Sequence, residues 1–188
     1  MAKYKIGDIL NFHWDNFYGK VIKVYNYVEY GYNKENRWTH SAIIGQITKG
    51  NAIVYEALAN GFVKNTYSLE QLDRWVENGT MIVGRANYKL TKVKPNCDKY
   101  IGKPYGFLDI FNIGLYLIFK KFSFTISTKS RQLICSEAVA RILYDSSNKN
   151  LNFEKEFDKR FDLIAPIDLR YSKQIDWNLS QKSKSVEK

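Results

Sequence analysis

The sequence predicts an α+β fold in which an antiparallel sheet packs against helices. Three observations predict it. Short apolar or β-branched runs recur at 38–45, 51–57, 61–67 and 81–86, with turn residues between them. Apolar residues at helical steps of three and four flank these runs, at 17–28 and 135–143. The 188-residue chain is 45% hydrophobic and 15% aromatic. That composition belongs to a globular protein and the length suffices for one domain with a real core.

The elements follow in order. Gly7-Asp8-Ile9-Leu10-Asn11-Phe12 reads as a turn into a short strand. A helix follows through Phe17, Lys20, Val21, Val24, Tyr25 and Val28, then a polar loop from 31 to 37. The run at 38–45 reads as a buried strand and 51–57 as its hairpin partner, with Lys49-Gly50-Asn51 at the turn. A further strand is expected at 61–67. Ser68-Leu69-Glu70-Gln71 opens a short helix, and 81–86 returns as a strand. Residues 94–101 form a short helix beginning near Pro95, and Gly102-Lys103-Pro104-Tyr105-Gly106 makes a turn. The stretch 107–124 is the most apolar, but Asp109, Asn112, Lys120 and Lys121 leave it too polar and too short to span a membrane. A core or groove-lining helix is expected there, with a lipid-meeting lid as the sharper alternative. A helix then starts at Cys135, and 161–169 reads as an extended closing segment. A single domain is expected over 1–178, followed by a disordered basic tail at 179–188.

Charge and composition narrow the partners. Lys and Arg number 29 against 19 Asp and Glu, a formal charge of +10. Such an excess favours anionic partners: nucleic acid, anionic lipid or acidic cell-wall polymer. The chain has neither an RRM-type aromatic signature nor a helix-turn-helix pattern, so nucleic acid is not expected as a specific target. Two cysteines exclude a disulfide framework and point to a reducing compartment. Together with His13 and His40 they lack zinc-finger spacing, so no metal or cofactor is expected. The N-terminus has no apolar signal-peptide core, which makes a cytoplasmic or virion-associated location the expectation.

The chemistry centres on Cys135, in Leu133-Ile134-Cys135-Ser136-Glu137-Ala138-Val139. Positions 135, 138, 139, 142 and 143 share one helical face, which places the thiol in the first turn. The partial positive charge of a helix N-terminus favours thiolate, the nucleophilic form. Glu137 would oppose that ionisation and is expected to point away. His40 lies amid apolar residues on a predicted strand. A hairpin centred near 48–50 brings residue 40 close to residue 58, so Glu56 falls nearly opposite it. A carboxylate there orients the imidazole and stabilises its cation, and such a pair can deprotonate a thiol. Each residue also has a plainer reading, as buried cysteine, core histidine or solvated strand-end carboxylate. His13 reads as structural, and Cys97, in a polar predicted helix, as incidental.

These pieces together resemble the circularly permuted papain-like cysteine hydrolases of the NlpC-like superfamily, in the branch holding the YiiX-type and lecithin:retinol acyltransferase-like proteins. The matching segments are Gly7-Asp8-Ile9-Leu10, Thr39-His40-Ser41-Ala42-Ile43-Ile44, Val54-Tyr55-Glu56-Ala57 with Gly61-Phe62-Val63, Gly102-Lys103-Pro104-Tyr105-Gly106-Phe107, Cys135-Ser136-Glu137-Ala138-Val139 and Ala165-Pro166-Ile167-Asp168-Leu169. The resemblance implies a permuted papain-like fold with Cys135 as nucleophile, His40 as base and Glu56 as the orienting third member. It implies an oxyanion hole built in part from the Cys135 N–H, and substrate contacts from Tyr105, Thr39 and Ser136. The turn departs from the family pattern in reading Tyr105-Gly106 where Tyr-Asp is expected.

Two functional expectations follow. The first is a cysteine hydrolase, an amidase, peptidase or acyl hydrolase, that forms an acyl-enzyme on cell-wall peptide amides or on fatty-acyl amides and esters. The second is a catalytically silent binding or structural module of the same fold, with virion proteins or anionic surfaces as partners.

Overall fold

The computed structural model describes residues 3–15, 17–107 and 132–177. The apolar stretch from residue 108 onward and the basic tail at 179–188 lie outside them. The described chain forms a six-stranded antiparallel sheet in the order β4-β3-β2-β1-β5-β6. The strands are β1 (Ile9–Phe12), β2 (His40–Thr48), β3 (Asn51–Leu58), β4 (Gly61–Ser68), β5 (Met81–Ala86) and β6 (Ile175–Asp176). All four residues of β1 are buried. A strand apolar on both faces belongs inside a sheet, and β1 inserts between β2 and β5.

Helices cover both faces: α1 (Phe17–Tyr30), α2 (Leu69–Glu77), α3 (Val93–Asp98), α4 (Cys135–Ser146), α5 (Phe153–Phe157) and α6 (Pro166–Tyr171). Strand alternation sorts the core into two layers. On one face Ile9, Ile43, Tyr55 and Ala57 meet the buried stripe of α4. On the other, Leu10, Phe12, Ala42, Ile44, Val54 and Met81 pack with Leu72 of α2. Ser68 caps α2 through the Gln71 N–H at 3.0 Å.

The β2–β3 hairpin carries a bulge that sets the site. Near the turn Thr48 pairs with Asn51 and Gln46 with Ile53; beyond the bulge Ile44 pairs with Val54 and Ala42 with Glu56. An extra residue in one strand reverses which face the following side chains share. Without it Glu56 would oppose Ile43 and turn away from His40. Gly45 occupies the irregularity, where a Cβ would lie 2.3 Å from the Tyr55 ring.

The ends are tied down by buried ions. Asp8 accepts from Arg85 Nε and Nη2, both at 2.7 Å, and from the Lys5 N–H at 2.7 Å. This bidentate clamp joins the opening turn to β5. The closing segment at 161–169 is not extended. Phe161–Leu163 is a 3-10 turn and Pro166 opens α6. Proline suits a first helical position, and Asp168 two residues on accepts the Ala165 N–H at 2.7 Å. The same carboxylate receives Lys159 Nζ at 2.8 Å and the Tyr25 and Tyr30 hydroxyls. Cys97 also departs from its expected polar setting. It lies fully buried in the core, and burial pushes its thiol up to about 12.

Candidate active site

β2 starts at His40, opposite Phe12 of β1. The ring is buried, 3% exposed, and its Nε2 lies 2.9 Å from Glu56 Oε2. His40 and Glu56 are diagonal neighbours on one sheet face, a separation that long side chains bridge. The other carboxylate oxygen, Oε1, accepts from Asn65 Nδ2 at 2.9 Å and from the Tyr67 hydroxyl at 2.7 Å. Both donors stand on β4, so the carboxylate is held between two strands. Burial pushes Glu56 toward neutrality, but His40 and these donors hold it below the usual carboxylate range.

With Nε2 engaged, Nδ1 is left for Cys135. The cysteine opens α4, behind Ile134 in extended conformation, and no side chain caps this helix. The sulfur meets the Ser136 N–H in place of a cap, and the Ser41 N–H of β2 reaches it from the sheet. Burial opposes ionisation of the thiol. The His40 cation beside it, its hydrogen bond and those two N–H groups outweigh burial and bring Cys135 below the ordinary thiol range. Burial likewise opposes charge on His40, but the sulfur and Glu56 together raise it to about 9. Both shifts run in the direction of a thiolate beside an imidazolium, with a carboxylate behind.

The other anticipated site residues take different positions. The Thr39 hydroxyl accepts the Trp14 N–H at 2.9 Å and donates to the Trp14 carbonyl at 3.0 Å. Thr39 thus pins Trp14, whose indole stacks on the His40 ring with centroids 3.9 Å apart and planes 10° from parallel. The Ser136 hydroxyl is buried and donates to the Ile164 carbonyl at 2.6 Å. Both hydroxyls bond to the protein's own backbone. Ser136 contributes its backbone N–H as well. Tyr105 pairs with Leu133 as an isolated bridge, two residues ahead of Cys135, and its ring packs into the core against Phe107. Glu137 binds Arg141 Nε at 2.8 Å, and His13 Nδ1 lies 3.0 Å from the Arg37 carbonyl.

Sequence reasoning missed Trp14, Asn65, Tyr67 and the Ser41 N–H. Asn65 and Tyr67 had a readable signal, since both belong to the strand face that continues from Glu56. Trp14 had none before β1 was known to lie beside β2. Ser41 is fixed by its own side chain, which donates to Asn11 Oδ1 at 2.7 Å, while Asn11 Nδ2 reaches the Pro166 carbonyl at 3.0 Å.

Among the described residues no helix is long and apolar enough to cross a membrane. No family model matches the chain, and no curated protein matches it. Among solved structures it is similar to the metalloprotein YiiX from Escherichia coli O157:H7, with a TM-score of 0.58 and 16% identity. The match covers 93% of this chain and 96% of that one. The α+β architecture is therefore shared along nearly the whole length. The description of YiiX as a metalloprotein has no counterpart grouping: among the described residues no three His, Cys, Asp or Glu side chains are arranged to hold a metal ion.

Proposed function

We propose that the chain is a cysteine-dependent hydrolase of the permuted papain-like type, acting on an amide or ester carbonyl. One observation carries this reading: His40 is held at Nε2 by Glu56, 2.9 Å away, and partners the Cys135 sulfur on its other side. The likeness to YiiX supports the fold beneath it.

The order of events follows from charge. Cys135 sulfur attacks the carbonyl carbon, and the developing oxyanion is met by N–H groups at the start of α4, that of Cys135 among them. His40 gives its Nδ1 proton to the leaving amine or alcohol as the C–N or C–O bond breaks, leaving a thioester. His40, now neutral, takes a proton from water, whose oxygen attacks the thioester carbonyl. The thiolate departs and the imidazolium is restored. Glu56 keeps its charge throughout, fixes the tautomer and stabilises the cation. The substrate classes are cell-wall peptide amides and fatty-acyl amides or esters, with the chain's +10 charge suiting the anionic wall polymer or lipid that carries them.

A second reading is favoured by burial. Cys135, His40 and Glu56 are each 3% exposed or less, as in a silent binding module that keeps the constellation for stability. Mass spectrometry of the intact protein after exposure to peptidyl and fatty-acyl nitrophenyl esters separates the two. Turnover accompanied by an acyl adduct on Cys135, absent in Cys135→Ala, supports the hydrolase. No adduct and no turnover with either ester class sinks it.

A further inference from the structure

We propose a phosphate-binding site at the far end of α4, distinct from the candidate active site. Cys135 opens this helix and Ser146 closes it, so the two places are separated by about 17 Å of helix. A cavity of about 410 Å³ lies there, between the C-terminal end of α4 and the start of α3. Lys92, Lys99 and Lys149 line it, against the single carboxylate of Asp145.

Three ammonium groups around one concavity repel each other unless an anion joins them. Asp145 reaches only Lys99, at 3.9 Å. Among the described residues Lys92 and Lys149 form no ion pair. Lys99 is placed deliberately: Asn96, itself 6% exposed, accepts its ammonium at Oδ1 at 2.7 Å and anchors its own Nδ2 on Ser146 Oγ at 3.0 Å. Thr91 is tied to the same residue, its N–H 2.7 Å from the Ser146 carbonyl. Buried polar groups thus form a fixed floor beneath the lysines.

The rim is fixed by the backbone as well. Lys92, Asn148 and Lys149 have φ of 53°, 52° and 68°. They are three of the four non-glycine residues with positive φ among the described residues, and all three line this cavity. Asn148 and Lys149 take it as the cap that ends α4, their N–H groups on the Asp145 and Tyr144 carbonyls, and Lys92 takes it just before α3, so the backbone fixes where these lysines stand. Lysines act as point charges and suit a compact tetrahedral anion better than a planar carboxylate, which the arginine fork fits. With Thr91 and Asn148 as additional hydrogen-bonding groups, the chemistry fits a phosphate group. A cavity of this size has room for the phosphate together with the moiety that carries it.

The test is calorimetric titration of the full chain with inorganic phosphate and with pyrophosphate, repeated with phosphatidylglycerol vesicles as competitor. Saturable binding is expected, weakened about ten-fold or more in the triple variant Lys92→Gln, Lys99→Gln, Lys149→Gln. A charge-matched control, Lys20→Gln, Lys34→Gln, Lys173→Gln, should stay within about two-fold of the parent. Melting curves verify that both variants fold. Competition by vesicles assigns the phosphate to a lipid headgroup; binding without competition assigns it to a soluble phosphorylated compound. Absence of saturable binding to phosphate, pyrophosphate and vesicles alike overturns the proposal, as does equal weakening in the two triple variants. No arm depends on turnover, so failure here leaves the hydrolase reading untouched and the converse also holds.

Discussion

His40 and Glu56 approach to 2.9 Å although they are not paired across the hairpin that carries them. They share a face only because of the bulge at Gly45. Gly45→Ala should therefore affect stability and chemistry together. Its Cβ would lie 2.3 Å from the Tyr55 ring, an overpacking expected to cost about 1–3 kcal/mol. Urea denaturation measures the cost. A variant as stable as the parent would show that the bulge does not need a glycine.

Cys135 should alkylate as a thiolate below the pH at which an ordinary thiol does. Iodoacetamide rates across pH are expected to keep their plateau well under the usual thiol range and to lose that advantage in His40→Ala. A rate that follows a free-thiol curve in the parent would deny the ion pair.

Glu56→Gln removes the buried charge behind His40 but preserves shape. The His40 pKa should fall from about 9, and the alkylation midpoint of Cys135 should rise with it. The sign at acid pH is fixed by the direction of the Glu56 shift. A carboxyl held below its usual range stabilises the fold above its unfolded pKa, and that contribution is lost as pH falls through the folded one. Acid denaturation of the parent should accordingly include a component that Glu56→Gln lacks.

Trp14 offers an optical reading of the same proton. Its indole lies 3.9 Å from the His40 ring, and an imidazolium quenches a stacked indole more than neutral imidazole does. Tryptophan emission should rise as pH passes about 9, the His40 value, and Trp14→Phe should abolish the transition.

Lys159→Met tests the C-terminal clamp. It strips Asp168 of the ammonium at 2.8 Å while both groups are buried. Breaking such a pair from one side costs about 3–5 kcal/mol, readable as a lower urea midpoint. A change well under that range would mean that Tyr25, Tyr30 and the Ala165 N–H satisfy the carboxylate unaided.

The parts of this molecule legible in the sequence are those set by local rules. The strand period, the Lys49–Gly50 turn and the apolar stripe of α4 give the hairpin and the cysteine-bearing helix, and from them the place of Glu56 near His40 follows by counting. What the sequence hides is set at a distance. Trp14 reaches His40 because β1 inserts between β2 and β5, a strand order no local pattern encodes. Thr39 and Ser136 look like substrate contacts from their places beside the site, but their hydroxyls serve Trp14 and Ile164. The α6 helix was masked by an apolar run, although Pro166 and Asp168 carried its start signal. Cys97 reads as incidental because its neighbours are polar, while the side of α3 facing α4 is not.

The location of Cys135 late in the chain has a consequence for biosynthesis. The hairpin bearing His40 and Glu56 is synthesised before the cysteine, and among the residues adjacent to Cys135 only the Ser136 N–H lowers its pKa. Its ionisation depends on α4 docking against β2, where the Ser41 N–H and the His40 ring meet the sulfur. The nascent chain therefore carries an ordinary, weakly nucleophilic thiol. The contacts that lower the Cys135 pKa are therefore assembled only when α4 docks, and the shifted thiol is a property of the folded chain.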